Sequence, residues 1–313
     1  MDDDAAAWAG GTAGAASAGA GGAGGAGGAG GAPGAYSRVV AEIPWLRANV
    51  EPSPGSALYE GEDAARLLST ADGVGSLVRP GLELFPMPGA PSPERHVAQL
   101  WWYSACGAWL RVAAAMILLE DQAPRPSWDG ASFFVRDGFW PGFIAQETVE
   151  VPADDAAAVR DFGRSVGEWL TPTIAALGDA FGVRPAPLWA ILGDELAGAA
   201  VAIGNELMEP WRGVAVGAWS AAGCAEAAAA IEEAGGAGAR MPEPRFADVT
   251  AESVKPCDVA AAQAGEEPDW DVSCALIRSS CCMIFHSPVA DMCTSCPRRD
   301  RGAREADWMA AAG

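Results

Sequence analysis

Positive charge and histidine are what this sequence has least of. Lys and Arg number 20 against 41 Asp and Glu, a formal net charge of -21, and there are two histidines in 313 residues. A surface of that sign repels a phosphate backbone instead of gathering counterions from it, which disfavours nucleic-acid binding, iron-sulfur transcription regulators included. There is no Ser-His-Asp arrangement and no glycine-rich phosphate loop after a strand, so hydrolytic and nucleotide-driven chemistry lack their usual groups. The N-terminal Gly-Gly-Ala repeats have no strand before them and no acidic partner at the usual distance after them, so they are not a dinucleotide fingerprint. A Rieske-type centre needs two histidines, and His96 is far in sequence from His286. No basic residue precedes Arg38 and the chain opens Met1-Asp2-Asp3-Asp4, the reverse of a secretory n-region, so a cytoplasmic protein is expected.

Long uninterrupted apolar runs are also scarce. Leu100 to Leu119 is mostly apolar, but Arg111 sits in its middle, and a central arginine costs roughly 2.5 to 3.5 kcal/mol on insertion. The expectation is a buried helix and not a membrane span, with peripheral association left open.

Cysteine is present in number and in a pattern. Of eight cysteines, four fall in one run: Cys281-Cys282, ten residues, then Cys293-Thr294-Ser295-Cys296-Pro297. Without a secretory signal these read as reduced thiols and metal ligands. Four thiolates fill either a tetrahedral zinc or the outer positions of a small iron-sulfur cluster. Only Cys293 and Cys296 form the knuckle that structural zinc sites use twice. Cys281 and Cys282 are adjacent, point to opposite faces of any regular strand, and share a site only where the backbone leaves that geometry. The spacing favours the wider [2Fe-2S] centre and leaves zinc, a disulfide pair or free thiols as alternatives. Cys106 and Cys224 lie in alanine-rich helical stretches as small hydrophobes, whereas Cys257 and Cys274, just upstream, are candidate substitute ligands.

The run Arg278-Ser279-Ser280-Cys281-Cys282-Met283-Ile284-Phe285 with Cys293-Thr294-Ser295-Cys296-Pro297 resembles the C-terminal signature of the FhuF-type ferric-siderophore reductases. Weaker likeness runs through Trp101 to Glu120 and Leu188 to Gly204, and none precedes Ala41. The resemblance implies a [2Fe-2S] cluster on Cys281, Cys282, Cys293 and Cys296. It implies one-electron reduction of a ferric siderophore, most plausibly a hydroxamate, with release of Fe2+ and electrons from a separate donor. The competing readings are a zinc-stapled or siderophore-binding protein without redox activity, and a general [2Fe-2S] electron carrier.

The fold class expected is mainly α: a helical domain with a small β-hairpin, a short C-terminal iron-sulfur module and a disordered Ala/Gly-rich N-terminus. The expected division is a tail at 1-37, a helical domain at 38-235, a linker at 236-270 and the cluster module at 271-313. Residues Ser132 to Val135 and Thr148 to Val151 read as the two strands of the hairpin, with Asp137-Gly138 in their connection. Asp155 offers a helix cap, Pro172 is expected to kink or end the helix that follows, and Gly193 and Gly198 to admit a neighbouring helix. The tryptophans read as core, His286 as a solvated loop residue or a group sensing the cluster charge, and Arg298, Arg299, Arg301 and Arg304 as a docking patch or a solvated tail.

Overall fold

The computed structural model describes residues 32-266 and 271-313. Most of the tail expected at 1-37 lies outside the described residues. Its end differs from expectation: Ala32–Glu42 forms helix α1, with Ala32, Ala35 and Tyr36 buried. Tyr36 is the reason, because its buried hydroxyl accepts the Ala145 N–H at 2.8 Å and fastens the helix to the core.

Short elements follow, as the prolines dictate: α2 (Arg47–Val50), β1 (Ala57–Glu60), α3 (Gly61–Ser69), α4 (Ala71–Val78) and α5 (Gly81–Leu84). Helix α6 (Pro93–Glu120) then runs through the middle of the protein, with Leu100, Trp101, Trp102, Met116 and Ile117 fully buried. Proline at its first position satisfies the φ requirement without costing a hydrogen bond, and Asp121 in the left-handed region (φ 53°) ends it. After α6 come β2 (Gln122–Pro124), β3 (Ala131–Arg136), β4 (Trp140–Ala145) and β5 (Thr148–Glu150).

The hairpin differs from the expected one. β3 pairs with β4, closed by Asp137 and Gly138, both at positive φ, and β1 adds to the far side of β3. The run at 148-150 pairs instead with β2 in a separate two-stranded sheet. Pro141 and Gly142 hid β4 from a propensity reading. Yet Gly142 is where the Phe134 ring lies, and a Cβ there would sit 2.0 Å from Cζ of that ring.

Three helices build the rest of the core: α7 (Ala156–Phe181), α8 (Pro185–Glu206) and α9 (Pro210–Glu233). Asp155 caps α7 by accepting from Ala157 and Ala158 N–H, and Gly182 (φ 64°) closes it. Pro172 does not end the helix, which continues to Phe181. Buried residues on both sides of the proline, Val166, Leu170, Thr173, Ile174 and Leu177, hold the helix through it, tertiary packing outweighing the missing bond.

The glycines that admit a neighbouring helix are also not those expected. A Cβ at Gly163 would sit 2.0 Å from the Ser220 carbonyl oxygen and one at Gly223 1.8 Å from that of Arg160, so α7 and α9 touch backbone to backbone. Gly204 and Gly213 do the same between α8 and α9. Gly193 and Gly198 instead face side chains, Met241 and Leu276.

The stretch read as a linker carries β6 (Arg245–Val249), β7 (Val254–Pro256) and α10 (Val259–Gln263). β6 is the centre of an antiparallel sheet, ordered β7-β6-β8, whose third strand is β8 (Ser273–Ile277). Phe246, Cys274 and Leu276 on one face pack with Ala197 and Val201 of α8 and Val214 and Ala218 of α9. Residues 278-300 then have no regular element longer than the 3-10 turn Ile284–His286, and α11 (Arg301–Ala312) ends the chain. By length and composition α6, α8 and α9 are apolar enough to cross a membrane; here 67 to 83% of each apolar window is buried within the protein.

Candidate metal centre

The sheet ends at Ile277, and the cysteine run begins where the backbone is free of a ladder. Met283 takes a left-handed conformation (φ 66°) and its N–H donates to Cys281 Sγ at 3.4 Å. This departure is what lets neighbouring cysteines aim at one place. The Cys296 N–H donates to the Cys293 carbonyl at 3.1 Å, closing the second pair as a turn.

The four thiols adjoin one another in a chain, Cys281 beside Cys296, Cys296 beside Cys293, and Cys293 beside Cys282. Cys282 and Cys296 are buried, at 2% and 1% exposure, while Cys281 and Cys293 are half-buried. Burial, opposed by the Met283 N–H, pushes the Cys281 thiol up to about 11. The bond from Cys282 holds Cys293 down to about 6, and the same bond and burial hold Cys282 well above a thiol's usual value. The Arg278 guanidinium acts in one direction on all three, favouring thiolate.

Arg278 is itself the link to the helical core. Its guanidinium is buried over the Tyr103 ring of α6, 4.4 Å from the centroid, and pairs with Asp194 at 3.9 Å and Glu195 at 3.6 Å, both on α8. Asp194 also accepts four bonds from the start of the cysteine run. The Ser279 and Ser280 N–H groups reach it at 2.9 and 2.6 Å, and their hydroxyls at 3.0 and 2.6 Å. A buried carboxylate persists only when paired and bonded in this way. Glu195 is raised above the carboxylate range by burial, against the pull of Arg278 and Arg111. None of Tyr103, Asp194 and Glu195 stood out in the sequence. The available signal was two adjacent acids in the middle of the apolar stripe Leu188 to Leu207, because such acids need a cation.

His96 and His286, set apart by sequence distance, stack at 4.6 Å between centroids with planes 13° apart. His286 is half-buried against His96 and Phe285, not a solvated loop residue. The arginines after the last cysteine find partners within the module, Arg299 and Arg304 half-buried and Arg298 and Arg301 exposed. Arg298 lies over Phe285, Arg299 pairs with Asp307, Arg301 bonds Glu305 at 2.7 Å, and Arg304 lies over Trp308 and reaches the Cys296 carbonyl at 3.4 Å. Cys106 and Cys224 are buried in α6 and α9, and Cys257 and Cys274 sit on the β7-β6-β8 sheet. The tryptophans Trp109, Trp128 and Trp169 pack on one another and on Phe143 as core. Two narrow apolar cavities in the helical layer measure about 10 Å³ each, room for roughly one water.

An all-thiol donor set, spread as a chain of contacts and half open to solvent, fits a [2Fe-2S] cluster, whose four outer positions take thiolates. Cys281, Cys282, Cys293 and Cys296 are the residues that could hold it. Residues 278–298 match the family model of the FhuF 2Fe-2S C-terminal domain. No curated protein and no solved structure matches the chain. The match is confined to the cysteine run, which is similar to the FhuF [2Fe-2S] C-terminal domain and indicates a [2Fe-2S] cluster there.

Proposed function

We propose that this protein is a ferric-siderophore reductase of the cytoplasm, with Cys281, Cys282, Cys293 and Cys296 as cluster ligands. The observation that carries the reading is the FhuF-type match over a run whose four thiols meet at a half-exposed face. Bound there, a [2Fe-2S] cluster supplies single electrons without making or breaking bonds. The substrate needs nothing more. Hard oxygens, most plausibly hydroxamates, hold Fe3+ far more tightly than Fe2+, so one added electron loosens the complex and lets other ligands take the ion.

The chain's own residues set the conditions. Arg278 offsets thiolate charge, Asp194 fixes the approach of the cysteine run, and the half-buried Cys281 and Cys293 leave one side where a bulky chelate and a separate electron donor can come close. The two apolar cavities of the helical layer are far smaller than a siderophore, and the substrate is read as meeting the module at its surface.

Stopped-flow mixing of the anaerobically reduced protein with several ferric siderophores, with a ferrous chelator present, tests the proposal. Oxidation of the protein coupled to Fe2+ release is expected, fastest with hydroxamates. Rates equal to buffer alone would leave a general electron carrier, and a colourless zinc protein would remove the redox reading altogether.

A further inference from the structure

Metal-ligating side chains converge a second time on the β7-β6-β8 sheet. Asp248 lies on β6, Cys274 stands opposite it on β8, and Cys257 follows the last residue of β7, its N–H bonded to the Phe246 carbonyl at 3.1 Å. Cys257 is thus opposite Phe246, two residues from Asp248, and strand alternation puts all three side chains on one face. Their ligand atoms lie within 4.8 Å of one another, Cys274 Sγ 3.6 Å from Asp248 Oδ1, with the Cys257 and Cys274 thiols in hydrogen-bond reach. We propose that Asp248, Cys257 and Cys274 form a second metal site, independent of the cysteine run, for a borderline-soft divalent cation, Zn2+ being the best match.

The spacing suits such an ion. Zinc bonds of about 2.0 to 2.3 Å in a tetrahedron separate ligand atoms by roughly 3.3 to 3.8 Å, the separation Cys274 and Asp248 already have. Two thiolates select against calcium and magnesium, and the carboxylate against copper(I). A disulfide suits the topology less well. Cys257 directly follows β7 and Cys274 is on β8, strands on either side of β6 that lie about 9 to 10 Å apart in a regular sheet, and a disulfide needs its Cα atoms within about 7 Å.

The site is also braced. Asn205 of α8 takes both backbone groups of Cys274, donating to its carbonyl at 2.8 Å and accepting its N–H at 2.9 Å. With those groups turned outward, Cys274 and Asp248 are a non-hydrogen-bonded pair, the kind whose side chains lie closer. Cys274 is a buried floor, and the half-buried Asp248 and Cys257 leave a side open for entry and for water as fourth ligand. Lys255, opposite Asp248 on β7, is exposed and makes no ion pair with it among the described residues. On binding, each thiol gives its proton to solvent, and the ion with two thiolates and one carboxylate carries a single negative charge. The filled site would tie β7 to β8 across β6, three residues before the chain leaves the sheet for Arg278.

The test uses the full chain carrying its cluster. Zinc and iron are measured by mass spectrometry, and Co2+ serves as a spectroscopic probe of thiolate ligation. Wild type should hold zinc in addition to iron. Cys257→Ser and Asp248→Asn, both at half-buried positions that spare the fold, should weaken Zn2+ binding by roughly tenfold or more with iron content and far-UV circular dichroism unchanged. Cys281→Ser should lose iron and keep zinc. The proposal is overturned if Co2+ gives no thiolate charge-transfer band, if zinc is lost with Cys281→Ser but not with Cys257→Ser, or if peptide mapping finds Cys257 disulfide-bonded to Cys274.

Discussion

The helical core and the cysteine run are held by opposite means. α7, α8 and α9 meet through shape: glycines let the α7–α9 and α8–α9 backbones touch, apolar side chains fill the buried contact, and ion pairs lie at its exposed rim. Residues 278-300 have almost no regular structure to stabilise them, and they are held by charge, with Asp194 taking four hydrogen bonds and Arg278 buried between two carboxylates. A segment that must leave its ladder to aim four sulfurs inward cannot also satisfy its backbone within itself, so a rigid helix satisfies it from outside.

The sharpest way to break that contrast is Asp194→Ala. It strands four donors and unbalances Arg278, and removing one partner from a buried charged network costs about 3 to 5 kcal/mol. Iron should be lost and hydrogen exchange across 278-300 should rise, while helical circular dichroism persists; full iron retention would refute the anchoring role. Gly223→Ala should do the reverse. Forcing a methyl against the Arg160 carbonyl costs about 1 to 3 kcal/mol of overpacking, so the thermal midpoint of the helical signal should drop with iron per folded chain unchanged.

A smaller effect separates the regions by pH. Burial, then the neighbouring His286 and Arg95, lower the pKa of His96 below its ordinary 6.5. A base whose folded pKa is depressed contributes stability present above the unfolded value and lost as pH falls through the folded one. Urea midpoints should therefore fall below about pH 6.5, with a flatter profile in His96→Gln. The smallest effect belongs to the exposed pair Arg164 and Glu226 between α7 and α9. Arg164→Ala should lower the thermal midpoint least of these variants, and less still as salt rises.

Those experiments also mark what the sequence disclosed. The four cysteines were legible because their spacing is local, and the helices because apolar periodicity and proline and aspartate caps are local too. The receiving end of the module was not, because Asp194 and Glu195 acquire meaning only when Arg278 arrives from more than eighty residues away. The same holds for His96 and His286, whose stacking is a product of α6 crossing the 3-10 turn. Strand pairing failed where residues that usually break strands stand in one: Pro141 and Gly142 sit in β4, and Gly142 is required there because the Phe134 ring takes the space of a side chain. Pro172 does not end its helix either, its local cost being outweighed by packing on both sides.

Asn205 has a consequence for how copies of this protein meet. β8 is an edge strand, and an edge with unmatched N–H and C=O groups is a template on which another chain can add a strand. By filling both groups of Cys274 with one side-chain amide, Asn205 takes the place a foreign strand would occupy and guards the sheet beside the cysteine run against intermolecular strand addition.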